Sequence, residues 1–271
     1  MFRSFLFVPG DRPERFDKAA LSGADAVCID LEDAVAPANK QAARREAFSY
    51  LAGSATPASV GVRFNSLECV DGFRDVIAFI DSAASPAFIL TPKVRSRSVV
   101  DQLRRALGER RPALWALIET PEALFSISLI AESLGEGGGV VFGGADLSAA
   151  LGSDMSWDAL YHARATTVAG AALHGLQCLD VPFLDVRNIA AMIEETRRAK
   201  AMGFTGRACI HPDQVAPING IFTPTADEIA AAQAIIDAYE GNAGRVLLHE
   251  GRLVEKPVLA AARRTLARAR S

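Results

Sequence analysis

Short, almost unbroken apolar runs alternate with longer amphipathic stretches from the start of the chain to about residue 210, an order that leads to a parallel sheet flanked by helices. The strand-like runs are Ser4–Val8, Ala26–Asp30, Ser59–Arg63, Ala87–Leu90, Leu114–Ile118, Val140–Phe142, Gln177–Leu179 and Ala208–Ile210. They are continuously apolar rather than alternating, as strands covered on both faces must be. The helical pattern recurs at Pro13–Ser22, Lys40–Leu51, Val99–Gly108, Glu122–Leu134, Trp157–His174 and Val186–Met202. Eight such repeats predict a (β/α)8 TIM barrel, with a doubly wound open sheet as the alternative. No GxGxxG follows the first strand and no GxxxxGK[ST] occurs, which argues against dinucleotide and P-loop sites.

The remaining residues differ in pattern. Pro224–Tyr239 reads as a helix with Thr223 or Thr225 as its cap, followed by a hairpin around Glu250-Gly251 and a last helix from Pro257 to Ala269. The expected organisation is a barrel over 1–220 and an extension over 221–271 that packs on its own barrel or on a neighbouring subunit. With 50% hydrophobic and 23% charged residues the chain suits a soluble globular protein. A net charge of −3 gives no general reason to expect nucleic acid or an anionic membrane as partner. The four cysteines, Cys28, Cys69, Cys178 and Cys209, form no CxxC pair, so neither a zinc site nor a disulfide framework is expected, and the cytoplasm is the natural compartment. The apolar start MFRSFLFVPG is too short for a signal segment or a membrane span and reads as the first strand.

In a (β/α)8 barrel the site is built at the C-terminal ends of the strands. In this sequence nearly every strand ends in a charged group: Asp11 and Arg12, then Asp30, Glu32 and Asp33, Arg63, Lys93, Glu119, Asp146, Asp180 and His211. Three carboxylates at 30–33 are costly at the edge of a buried strand unless a positive group sits among them. Oxygen-only acids suit a hard cation, so Glu119 and Asp146 are candidate Mg²⁺ ligands, with Mn²⁺ as a substitute. Glu32 and Asp33 would hold the metal's waters, and Asp30 reads as a structural strand-end acid. Asp146 also stands where it would cap a helix. Arg63 offers a permanent charge and a fixed fork of donors for a carboxylate or thioester carbonyl. Gly143-Gly144-Ala145, leading into Asp146, lets backbone approach a ligand and offers N–H groups at a helix start. His211 is either a general base or a loop hydrogen-bond partner.

The segments RSFLFVPGDRPERFDKA, DLEDAVAPANKQAAR, VRFNS, TPKV, ALIETPEAL, FGGADLSAALG, GFTGRACIHPDQVAPIN and GRLVEKPVLAAARR together resemble the citrate lyase β-subunit-like proteins of the HpcH/HpaI aldolase and citrate lyase superfamily. The resemblance implies a (β/α)8 barrel assembled as a homotrimer or hexamer. It implies C–C bond cleavage or formation between a CoA thioester and a 2-oxo acid, of the citryl-CoA, malyl-CoA or citramalyl-CoA type. By motif it assigns Glu119 and Asp146 to Mg²⁺, Arg63, Gly144, Ala145 and Asp146 to the substrate, Glu32 and Asp33 to the metal's waters, and Arg12 and Lys18 to the CoA phosphates. Active relatives carry an acid/base Asp in the tail motif, delivered to the next subunit's site; here that position is Glu255, one methylene longer. The implied alternatives are a (3S)-malyl-CoA-type thioesterase and a citrate lyase β subunit working on an acyl-carrier-protein thioester.

Overall fold

The structure, a computed structural model, describes residues 1–53, 56, 58–110 and 112–269. Eight parallel strands form a closed barrel in sequence order: β1 Ser4–Pro9, β2 Ala26–Asp30, β3 Ser59–Arg63, β4 Phe88–Thr91, β5 Ala113–Ile118, β6 Gly139–Phe142, β7 Gln177–Asp180 and β8 Gly206–Cys209. Closure comes from β1 pairing with β8, in the register Phe5 to Ala208. The chain is therefore a (β/α)8 TIM barrel.

The barrel interior is filled by Phe5, Cys28, Phe88, Leu90, Trp115, Leu117, Val141 and Leu179. Large rings fit because small residues stand on the strand beside them. A Cβ on Gly61 would lie 2.5 Å from the Phe88 ring, and one on Gly139 would lie 2.6 Å from the Trp115 ring. Phe2 stacks on Trp115 with centroids 5.5 Å apart and closes the layer.

The helices are α1 Phe16–Ala20, α2 Lys40–Gly53, α3 Val70–Asp81, α4 Arg97–Leu107, α5 Pro121–Phe125, α6 Ile127–Leu134, α7 Gly144–Leu151, α8 Trp157–Leu173, α9 Ile189–Met202, α10 Val215–Phe222, α11 Ala226–Gly241 and α12 Lys256–Ala269. Two depart from the periodicity. The stretch predicted as one helix over Glu122–Leu134 is two, because the backbone leaves the helical conformation at Ser126. The Pro13–Ser22 stretch begins as a 3₁₀ turn, Pro13–Arg15, before α1.

Contacts divide the chain into Phe2–Asn219 and a second unit of Met1 with Gly220–Ser271, the division falling inside α10. Within the second unit, α11 starts at a Thr225–Glu228 capping box. The hairpin strands β9 Leu247–His249 and β10 Arg252–Val254 join through Glu250 (φ 49°) and Gly251 (φ 75°), both in the left-handed region that a tight hairpin turn needs. Ile236, Tyr239, Val254, Leu259 and Ala262 make this unit's own core. The last two residues of the 221–271 extension lie outside the described residues. Among the described residues, no helix is long and apolar enough to cross a membrane.

Candidate active site

Two charged clusters stand at the C-terminal rim of the barrel. The first joins β2 to β3, whose register sets Asp30 opposite Arg63. The buried Asp30 carboxylate accepts Nε and Nη2 of Arg63, both at 2.6 Å, and the N–H groups of Glu32 (2.8 Å) and Ala34 (3.0 Å). Arg63 also lies over the Phe7 ring, 5.3 Å from its centroid. Burial works against the guanidinium charge, but Asp30, Glu32 and Asp33 more than offset it, so its pKa is raised.

Nη1 of Arg63 points the other way, 2.9 Å from Glu32 Oε2 and 3.4 Å from Asp33 Oδ2. The contact with Glu32 is close but off the hydrogen-bonding direction: Glu32 Oε2 is buried and receives no hydrogen bond among the described residues. Burial pushes the Glu32 carboxyl up to about 8; the charges of Asp33 and Glu119 add to this, and Arg63 and Lys93 oppose it.

This loop is pinned from outside. Lys40 Nζ on α2 donates to the carbonyls of Leu31 and Glu32, each at 2.9 Å, and to Asn65 Oδ1 at 2.6 Å. Asn65 in turn gives its N–H and Nδ2 to the buried Asp75 on α3, which also takes Nε of Arg44. Lys40 and Arg44 carry no signal for this role in the sequence beyond their motif, and Asp75 lies in none of the motifs; their reach depends on helix packing.

The second cluster spans β4, β5 and β6. Glu119 follows β5, is buried, and its Oε1 accepts the backbone N–H of Lys93 at 2.6 Å. Lys93 has φ 52°, a left-handed conformation uncommon outside glycine, and this aims its N–H at Glu119. Gly143 makes the space: a Cβ there would lie 2.4 Å from the Glu119 Cβ and 3.0 Å from Oε2. Asp146 stands in the first turn of α7. Lys93 Nζ lies 2.8 Å from Asp146 Oδ1 and 3.6 Å from Glu119 Oε1. Burial pushes Glu119 up to about 7 and Asp146 adds to this, against the charge and N–H of Lys93. Burial also works against an ionised Asp146, but the hydrogen bond and charge of Lys93 outweigh it and hold the pKa below the usual value. Gly144 and Ala145 open α7, where backbone N–H groups have no partner inside the helix.

These residues fit a hard divalent cation. The donors are oxygens, an ammonium already takes the place of a cation beside them, and a buried carboxylate oxygen nearby lacks a hydrogen bond. Among the described residues no three His, Cys, Asp or Glu converge on one point. Two carboxylates are the number Mg²⁺ takes, since it keeps several waters.

Other strand-end groups serve the fold. Asp180 is fully buried in an ion network with Arg164 of α8 (3.0 Å) and Arg207 of β8 (3.6 Å), so it does not join the rim cluster. His211 caps the turn Pro212–Gln214, its Nδ1 accepting the Asp213 N–H at 3.2 Å, which favours the loop role over the general base. Lys18 on α1 lines a cavity of about 430 Å³ with Arg15, residues 6–9 of β1 and residues 210–213; exposed Arg12 is not among its lining residues. A further cavity of about 890 Å³, lined by α2 and α3, touches none of Asp30, Glu32, Arg63, Glu119 or Asp146. Glu255 is exposed and belongs to the second unit, between β10 and α12.

Fold and rim together give a (β/α)8 barrel whose strand ends carry a carboxylate pair on one lysine in the same rim as a clamped arginine. The family description HpcH/HpaI aldolase/citrate lyase matches residues 3–212, and a second, C-C bond lyase of the TIM-barrel fold, matches residues 156–271. The chain belongs to the HpcH/HpaI aldolase/citrate lyase family. An L-malyl-CoA/beta-methylmalyl-CoA lyase of Cereibacter sphaeroides is 30% identical, over 93% of this chain and 90% of its own length. A (3S)-malyl-CoA thioesterase of the same species is 34% identical, over 99% and 94%. The crystal structure of CitE from Mycobacterium tuberculosis with magnesium, acetoacetate and coenzyme A superposes with a TM-score of 0.83 at 33% identity, covering 99% of this chain and 98% of that one.

Proposed function

We propose that this chain is a Mg²⁺-dependent acyl-CoA lyase that cleaves or forms a C–C bond between a CoA thioester and a 2-oxo acid. The observation that carries this is the convergence of Glu119 and Asp146 on a cation position with the clamped Arg63 in the same rim. Citryl-CoA, malyl-CoA and citramalyl-CoA are the substrate types. Glu119 and Asp146 are the residues that would hold Mg²⁺ or Mn²⁺, which supplies positive charge to the oxygens of the 2-oxo acid portion. Glu32 and Asp33 would orient the waters around it. Gly144 and Ala145 offer N–H groups to the acid's carboxylate.

In the cleavage direction a carboxylate takes the proton of the substrate hydroxyl. The electrons of the breaking C–C bond pass to the thioester, and the oxyanion of its enolate faces Arg63. Asp30 takes Nε–H and one Nη2–H of Arg63, so the donors left for that oxygen are the second N–H of Nη2 and the N–H of Nη1 that does not face Asp33. Glu255, delivered from a neighbouring subunit of a homotrimer or hexamer, is that carboxylate, and it returns the proton to the enolate carbon to give the shorter acyl-CoA. In this reading Lys18 and Arg12 hold the CoA phosphates; the lining of one 430 Å³ cavity by Lys18 and Arg15 supports it. The cytoplasm is the proposed compartment.

The 34% identity to a thioesterase favours one second reading, hydrolysis of the thioester in the same pocket. A third is a citrate lyase β subunit that takes its acyl group from an acyl carrier protein. Incubation with malyl-, citramalyl- and citryl-CoA, with and without Mg²⁺, separates them by product. The lyase gives a 2-oxo acid and a shorter acyl-CoA only with Mg²⁺. Free CoA with an intact hydroxy acid means hydrolysis, and turnover of citryl carrier protein alone means the β subunit.

A further inference from the structure

Lys93 takes no part in the proposed bond cleavage, yet it touches both proposed metal ligands. Its ammonium is 2.8 Å from Asp146 and 3.6 Å from Glu119, while its backbone N–H separately holds Glu119 Oε1 at 2.6 Å. The two contacts differ in kind. The N–H is fixed by the turn after β4 and its left-handed φ of 52°. The ammonium rides on a flexible stem whose side chain is 26% exposed, so it has a route outward to solvent.

Two carboxylates facing each other in a half-buried site repel unless a cation lies against them. A divalent ion and an ammonium repel each other, so both cannot keep the same position. We infer that Lys93 is a positioning residue with two separate functions: its ammonium stands in for the metal and keeps Glu119 and Asp146 converged in the metal-free protein, and it swings out when the ion enters, leaving its N–H to orient Glu119. This rests on the assignment of Glu119 and Asp146 as metal ligands. The ammonium thus preserves the site at the expense of competing with the ion.

The test compares full-length wild type with Lys93→Met and Lys93→Arg, using MgCl₂ as the probe. In Lys93→Met the metal-free Tm falls by about 2–4 °C, and saturating Mg²⁺ restores it to the loaded wild-type value. Mg²⁺ affinity measured by titration calorimetry rises about fivefold, because the competing cation is gone. Lys93→Arg, which keeps the charge, retains the wild-type Tm without metal. If Lys93→Met does not fold without metal, refolding it with and without MgCl₂ replaces the Tm comparison: recovery with MgCl₂ supports the stand-in, and no recovery in either overturns it. Equal losses of Tm with and without Mg²⁺ and an unchanged affinity would reduce Lys93 to a structural residue, and weakened affinity would make it a support of the metal; either overturns the inference. Wild type that binds no Mg²⁺ would instead overturn the ligand assignment beneath it.

Discussion

The two rim clusters hold the same kinds of side chain and differ in how completely they are paired. At β2–β3 the Asp30 carboxylate accepts four hydrogen bonds, and Arg63 meets it through two parallel N–H groups. At β4–β6 two carboxylates share one lysine, and Glu119 is pushed up to about 7 by its burial. A paired cluster fixes geometry. Glu119 and Asp146, which share one ammonium on a flexible stem rather than a rigid two-pronged clamp, are poised to take a cation in its place. Glu32 lies between the two, with one oxygen beside Arg63 and no hydrogen bond to it.

The contrast is broken most sharply by one substitution on each side. Glu119→Gln should lower kcat/KM by roughly a thousandfold, the several kcal/mol that a metal contributes to charge development, with Tm unchanged or higher. Asp30→Ala should instead cost about 3 kcal/mol of stability, because it removes both hydrogen bonds that pair the buried Arg63 guanidinium with Asp30. Denaturant melts and steady-state kinetics on both variants check this, and the reverse assignment of losses would invert the roles of the clusters.

A smaller effect sharpens the comparison through pH. Glu119 has its folded pKa raised to about 7, so below that pH the proton must leave before a metal takes the carboxylate. Mg²⁺ affinity should therefore fall as pH drops below 7, by up to about tenfold per pH unit, and level off above it. Titrations in buffers of different ionisation enthalpy should show proton release on binding near pH 6; none would contradict the raised pKa.

The barrel and its rim are largely legible in the sequence. Continuous apolar strands and acids at their ends locate both, because burial on both faces and charge at one end leave a periodic trace. The helix Val70–Asp81 leaves a weak one: Gly72 sits in its first turn, where a Cβ would lie 2.1 Å from the Ser66 carbonyl oxygen. At Gly144–Leu151 the sequence shows the helix start but sets Asp146 at its cap, where the structure has Gly143 and places Asp146 inside the first turn. Lys93 is visible in the sequence only as a charge after a strand, since its φ and its reach to β5 and β6 exist only once the barrel closes. Asp180 carries the same strand-end signature as Asp146, yet Arg164 and Arg207 consume it, and those partners come from packing rather than spacing.

The central claim is that the Glu119–Asp146 cluster, not the Asp30–Arg63 cluster, is the metal centre. The most direct measurement is the anomalous scattering of a crystal soaked in Mn²⁺. The account predicts one strong peak in bonding distance of the Glu119 and Asp146 carboxylates, with the Lys93 ammonium moved away from Asp146 and the Asp30–Arg63 pair unchanged. A peak among Asp30, Glu32 and Asp33, or none at Glu119 and Asp146, would contradict it.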